Sequence, residues 1–171
     1  MTAFLRTADQ VEPAAFKEVF RNYPNGVSII TATGPAGPVG FTATSVTSIS
    51  ADPPVLAFSI TSVASAWPTI ASASSVAVHF LDVEHIELSQ LFATSGVDRF
   101  APIDWETLPS GEPKLLDVPT WVRGPILQRV PVGASTIVLV GAAETQAGTD
   151  REPLVYHDRH YHSLTRAPVL S

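Results

Sequence analysis

A mainly β domain with a few short helices, its strands forming a closed or nearly closed antiparallel barrel, is the fold this sequence predicts. Three observations lead there. About seven short runs rich in Val, Ile, Thr and Phe are bounded by Gly, Pro, Asn and Asp turn signals. The helical segments between them are short and irregularly spaced, unlike the steady alternation of a parallel doubly wound sheet. At 171 residues the chain reads as one domain, residues 1–171, with no repeat, linker or charge block.

Residues 1–12 read as an N-terminal arm, flexible or packed against a second subunit. Residues 13–23 predict a helix: Pro13 suits a first turn, and Phe16, Val19, Phe20 and Tyr23 fall on one face. Pro24-Asn25-Gly26 ends it. Residues 27–33 form a first strand, and Gly34-Pro35-Ala36-Gly37-Pro38 turns into a second, hydroxyl-rich one from Gly40. An Asp52-Pro53-Pro54 corner leads to a strand over residues 55–60.

Residues 62–74 predict a short helix with Ser65 as N-cap and Pro68 in its first turn. A strand follows over residues 75–81, then a helix over residues 83–92 capped by Asp82. Residues 94–120 read as loop, with a turn at Pro109-Ser110-Gly111-Glu112-Pro113. Strands are expected over residues 125–130 and 135–145. The last element is a hairpin turning at Asp158-Arg159.

Composition narrows the function. Hydrophobic residues make up 45% and charged residues 15%, so few side chains can solvate a free surface; part of it is expected to face another subunit. The net charge of −6, without any Lys/Arg run, argues against nucleic acid or an anionic membrane as partner. Cysteine is absent, which removes disulfides, thiolate metal sites and cysteine nucleophiles. The N-terminus lacks a signal-like apolar core and no stretch approaches membrane-spanning length, so the chain reads as soluble and cytoplasmic.

The most informative stretch runs from Gly40 to Ser50. It carries six hydroxyls in eleven positions: Thr42, Thr44, Ser45, Thr47, Ser48 and Ser50. Such a strand reads either as a shelf for a polar, planar ligand or as a solvent-facing edge. Arg99, in Asp98-Arg99-Phe100, reads as a phosphate clamp or as a surface cation. Ser62, Ser65 and Thr69 offer hydroxyls near a helix start, which suits an anion or an ordinary cap. His157, His160 and His162 read as metal ligands or as an exposed polar hairpin; no carboxylate or cysteine at ligand spacing completes a site, so no metal is expected. The Gly34, Gly37 and Gly40 spacing is not a phosphate loop, and no GxSxG elbow is present.

In order along the chain stand Phe20-Arg21-Asn22-Tyr23-Pro24-Asn25-Gly26-Val27, Gly40-Phe41-Thr42-Ala43-Thr44-Ser45 and Thr47-Ser48-Ile49-Ser50-Ala51-Asp52-Pro53-Pro54. Further on come Leu88-Ser89-Gln90-Leu91-Phe92, Asp98-Arg99-Phe100, Gly111-Glu112-Pro113-Lys114-Leu115 and Pro153-Leu154-Val155-Tyr156. This ordered set resembles the flavin reductase-like family, the FMN-binding split barrels that include reductase components of two-component flavin monooxygenases. The resemblance implies an antiparallel split β-barrel and hydride transfer from NADH or NADPH to FMN, or to FAD in its place. It implies a homodimer with flavin near the interface and a flavin-dependent monooxygenase as partner.

By the same resemblance, Thr42, Ala43, Thr44, Ser45, Thr47, Ser48, Ile49 and Ser50 lie along the isoalloxazine. Ser62, Ser65 and Arg99 hold the phosphate, and Phe100 and Tyr156 complete the cofactor contacts. The chain departs from the family pattern at three places. Thr44 and His79 each stand where the family commonly has Asn. Gly133-Ala134-Ser135 stands where many reductases have Gly-Asp-His, which makes Ser135 the candidate catalytic residue on the nicotinamide side. Two rival readings are a flavin- or haem-binding carrier or sensor without turnover, and a related oxidoreductase using a deazaflavin-type or pyridoxamine-phosphate substrate.

Overall fold

Pro13 starts the first helix of the structure, a computed structural model that describes residues 10–149 and 151–164. This helix, α1 (Pro13–Arg21), buries none of its side chains among the described residues. The N-terminal arm expected over residues 1–12 lies outside the described residues up to residue 9. Two short strands, β1 (Asn25–Gly26) and β12 (Leu154–His157), pair antiparallel, and β12 continues into β13 (His160–Ser163). Asp158 and Arg159 have φ of 45° and 65°, as expected for the central pair of a tight hairpin turn.

The main sheet runs in the order β3 (Gly37–Ala43), β2 (Ser28–Gly34), β6 (Ser75–Phe80), β9 (Trp121–Val132), β10 (Ser135–Gly141), β5 (Pro54–Thr61) and β4 (Thr47–Ala51), with β11 (Glu144–Gln146) also on β9. Every pairing in it is antiparallel. The ladder does not close: β3 and β4 are its two edges, so the barrel is split between them. One face of the curled sheet encloses a core of Ile30, Phe58, Ile60, Val78, Val138 and Val140, plugged by Ile70. Ile70 belongs to α2 (Trp67–Ser72), whose C-terminal carbonyls accept from Arg129: Nε reaches Ile70 O at 2.9 Å and Nη2 reaches Ala73 O.

A second core forms on the opposite face of β2, where Val27 and Ile29 meet Phe92, Phe100, Leu115 and Leu154. Phe92 lies on α3 (Ile86–Ala93), which follows a 3₁₀ turn at Val83–His85. Asp82 caps that turn as expected, accepting from Glu84 N–H at 3.0 Å. Gly40 lets α3 sit against β3, since a Cβ there would lie 2.4 Å from Phe92 Cε1.

Several expected boundaries are corrected. The hydroxyl-rich run is two strands, β3 and β4, at opposite edges of the sheet. Residues 44–46 leave the β2 ladder and cross to β5, where Ser45 Oγ accepts from Ser59 N–H at 3.0 Å. The helix expected over residues 62–74 is confined to α2; Ala66, not Ser65, holds the N-cap position, and residues 62–65 are turn. The strand expected over residues 125–130 is the longer β9. The one expected over 135–145 ends at Gly141, whose carbonyl would lie 1.7 Å from a Cβ on Gly124. Within the expected loop, β7 (Trp105–Thr107) and β8 (Pro113–Leu115) pair around the predicted turn.

Candidate functional site

Arg99 is held where β3 meets the end of α3. Its Nε and Nη2 donate to Thr94 O at 3.0 and 2.7 Å, and its Nη1 donates to Gly40 O at 2.6 Å. Those bonds use three of the five guanidinium N–H groups, leaving two for an anion. Partial burial lowers the Arg99 pKa, though an arginine stays charged at neutral pH. Beside it opens a cavity of about 690 Å³ lined by Pro38, Gly40, Ser65, Phe100 and Trp105. Of the expected phosphate residues, Ser65 and Arg99 therefore share one cavity, with Phe100 buried in its wall.

A second concavity, of about 580 Å³, separates α1 from the β12–β13 hairpin and contains Thr44, Ser45 and Tyr156. A third, of about 310 Å³, contains Thr47, Ser48 and Ser50 with Pro54, Leu56 and Phe80. Thr42 and Ser45 direct their hydroxyls inward: Thr42 Oγ1 donates to Ser89 O at 2.6 Å, and Ser45 Oγ bridges the backbone of Ser59. Ala43 is buried. By contrast, β4 is an open edge with Thr47 and Ser48 exposed and a bulge at Ile49. Bulges of this kind re-aim neighbouring side chains and leave backbone groups unpaired.

Ser62 lies outside all three concavities and meets the turn before β10 instead. Ser62 N–H donates to Ala134 O at 2.9 Å, and Ser135 pairs with Thr61 across β10 and β5. The expected shelf is thus distributed along the rim of the split rather than gathered in one pocket of a single chain.

His79, the family's usual Asn, is a core clasp. Fully buried, it places Nδ1 3.3 Å from Ile29 O and accepts from Leu115 N–H at Nε2, 3.1 Å away. Those partners assign the proton to Nδ1. Burial pulls its pKa down to about 4, so it is neutral and joins β2, β6 and β8. Ser59 and Trp105, which line the second and first concavities, carry no local sequence signal of a site. Ser59 sits in an apolar run, and Trp105 in a stretch without periodicity. The three hairpin histidines share one face, with ring centroids 5.6 Å apart for His157 and His162. Among the described residues, no group of three or more potential ligands is placed to hold a metal ion.

An antiparallel sheet curled round one core, split between two edges and bearing an anion-ready arginine beside a hydroxyl-rich rim defines a split β-barrel of the flavin-binding kind. Residues 20–165 match the flavin reductase like domain, and the chain belongs to that family. It is 37% identical over 155 residues to an NADH:FMN oxidoreductase of Rhodococcus erythropolis, spanning 88% of this chain and 81% of that one. It is 41% identical over 115 residues to a stachydrine N-demethylase reductase subunit of Rhizobium meliloti, spanning 67% of this chain and 50% of that one. The crystal structure of a flavin reductase domain protein from an Arthrobacter strain matches with a TM-score of 0.89 and 38% identity, covering 94% of this chain and all of that one.

Proposed function

We propose that this chain is an NADH-dependent FMN reductase that works in the cytoplasm as a homodimer and supplies reduced flavin to an oxygenase. The observation that carries the flavin half is Arg99, with two N–H groups to spare beside Ser65 in a cavity that admits a phosphate. The cofactor-binding set is Thr42, Ala43, Thr44, Ser45, Thr47, Ser48, Ile49, Ser50, Ser62, Ser65, Arg99, Phe100 and Tyr156. Within it, Thr42, Ala43 and Ser45 act as framework, because their groups are bonded internally or buried.

Bound FMN supplies the two-electron acceptor. The chain's own work is placement: the exposed hydroxyls and free edge of β4 donate to the pyrimidine rim, where negative charge accumulates on reduction. Hydride transfer needs alignment and no acid–base triad. Ser135, beside Ser62, takes the nicotinamide side. NADH is the donor in the name of the Rhodococcus relative, and the Rhizobium relative's name makes it a reductase subunit, which supports an oxygenase partner here.

A solvent-exposed amphipathic α1 supports the dimer. Nine residues make too short a helix to persist alone, so its apolar face, with Val19 69% exposed, is covered by a second copy.

Anaerobic addition of NADH to the FMN-loaded protein tests the reaction. Bleaching of the flavin absorbance is expected; FMN binding without bleaching would instead support a carrier, the reading favoured by Ser135 in place of an imidazole. Arg99→Ala is expected to weaken FMN at least about tenfold more than riboflavin, which has no phosphate. Equal loss for both ligands would remove Arg99 from the phosphate role.

A further inference from the structure

We propose that Tyr161 is a positioning residue for the flavin ring, acting through Ser89 and Tyr156 to hold Tyr156 and the Thr44–Ser45 segment in fixed relation. Its role rests on the flavin reading of those residues, while the contacts that assign it are independent of any ligand.

Ser89 is the junction. Wholly buried on α3, it bonds to two other elements. Its Oγ lies 2.9 Å from the Tyr161 hydroxyl on β13, and its carbonyl accepts from Thr42 Oγ1 on β3 at 2.6 Å. The core beside α3 is otherwise apolar, built of Val27, Ile29, Phe92 and Leu154, and alanine would serve packing there as well. A hydroxyl buried so deeply destabilises the fold unless it is bonded, so Ser89 fixes where the Tyr161 hydroxyl sits.

On each side the tie ends one step from the second concavity. Thr42 stands two residues before Thr44, where the chain leaves the β2 ladder, and Thr44 and Ser45 line that concavity. Tyr161 stands opposite Tyr156 in the β12–β13 ladder, with ring centroids 5.2 Å apart and planes at 61°. Tyr156 lines the same concavity. Edge-on pairs have a preferred geometry, so the Tyr161 ring limits where Tyr156 can turn. Hydride transfer depends on alignment, and a shift of about an ångström in the residues around the ring is costly.

Tyr161→Phe keeps the ring and removes only the hydroxyl. Ser89→Ala removes the same bond from its other end. Each is expected to weaken FMN and riboflavin alike, by about threefold to tenfold in a fluorescence titration, because the ring and not the phosphate loses its seat. Arg99→Ala, by contrast, separates the two ligands. The double variant is expected to bind no more weakly than either single one, the mark of two groups acting through one bond. Both single variants are also expected to change the visible circular dichroism of bound FMN and to raise its apparent KM. A lowered urea midpoint with flavin affinity and spectrum unchanged would make the pair purely structural and overturn the role. So would additive losses, or a loss confined to FMN. If the unaltered protein binds neither FMN nor riboflavin, the flavin reading falls and this role falls with it. Flavin binding that ignores both substitutions removes Tyr161 alone.

Discussion

At the scale of single residues, His79 illustrates how a departure from a family pattern can be structural. Its folded pKa of about 4 lies below the ordinary value of 6.5, with desolvation the largest cause. The unfolded chain therefore takes up the proton first. This residue's contribution is intact above pH 6.5 and is lost progressively as pH falls toward 4, where the folded form also protonates. The integrated loss is about 3 kcal/mol. Urea unfolding at about pH 7.5 and about pH 4.5 measures it, and His79→Asn is expected to flatten that component of the slope. The same variant loses about 1–3 kcal/mol at neutral pH, because the shorter amide strands the Leu115 N–H. A slope unchanged by the substitution would assign the pH dependence to other groups.

Among the elements, the contact of α3 with β3 connects packing to the Arg99 cavity. Phe92 is fully buried and meets Phe100 edge-on at a centroid distance of 5.3 Å, so it has little room to yield. Gly40→Ala is expected to cost about 1–3 kcal/mol in urea unfolding by forcing the two elements apart. Since Gly40 O also accepts from Arg99, FMN affinity falls with it in a fluorescence titration. Stability lost without any change in FMN binding would uncouple the clasp from the cavity.

Element existence was largely legible in the sequence, because local chemistry specifies it. Pro13 opened α1, Asp82 capped its turn, and Asp158-Arg159 turned the last hairpin as expected. What escaped was whatever depended on distant partners. Nothing local marks Thr42 as bonded to Ser89 or Ser45 to Ser59, so a dense run of hydroxyls read as one continuous shelf. Ser65 lost its cap role because the chain turns through residues 62–65 before α2 begins. In the site, Arg99, Ser65 and Phe100 were named from sequence and do share a cavity.

For the whole molecule, the exposed apolar face of α1 and the unpaired edge of β4 describe a protomer with surface left over. Val19→Asp is expected to convert a dimer to a monomer in light scattering without unfolding the chain, because Val19 is 69% exposed in the protomer. A mass unchanged at micromolar concentration would place the subunit contact elsewhere. Among the described residues, no helix is long and apolar enough to cross a membrane.

Over residues 28–32 the strand β2 has no solvent face. Residues 28–32 are buried throughout, with Ile30 and Ala32 in one core and Ile29 in the other. Its central amides can meet solvent only when both cores come apart, which amounts to unfolding the domain. In deuterium-exchange mass spectrometry these amides are expected to be the slowest in the chain, while those of α1 and β4 exchange early. The edge proposed to meet the flavin can thus breathe over a strand that stays closed, and exit of a flavin held there need never disturb the scaffold beneath it.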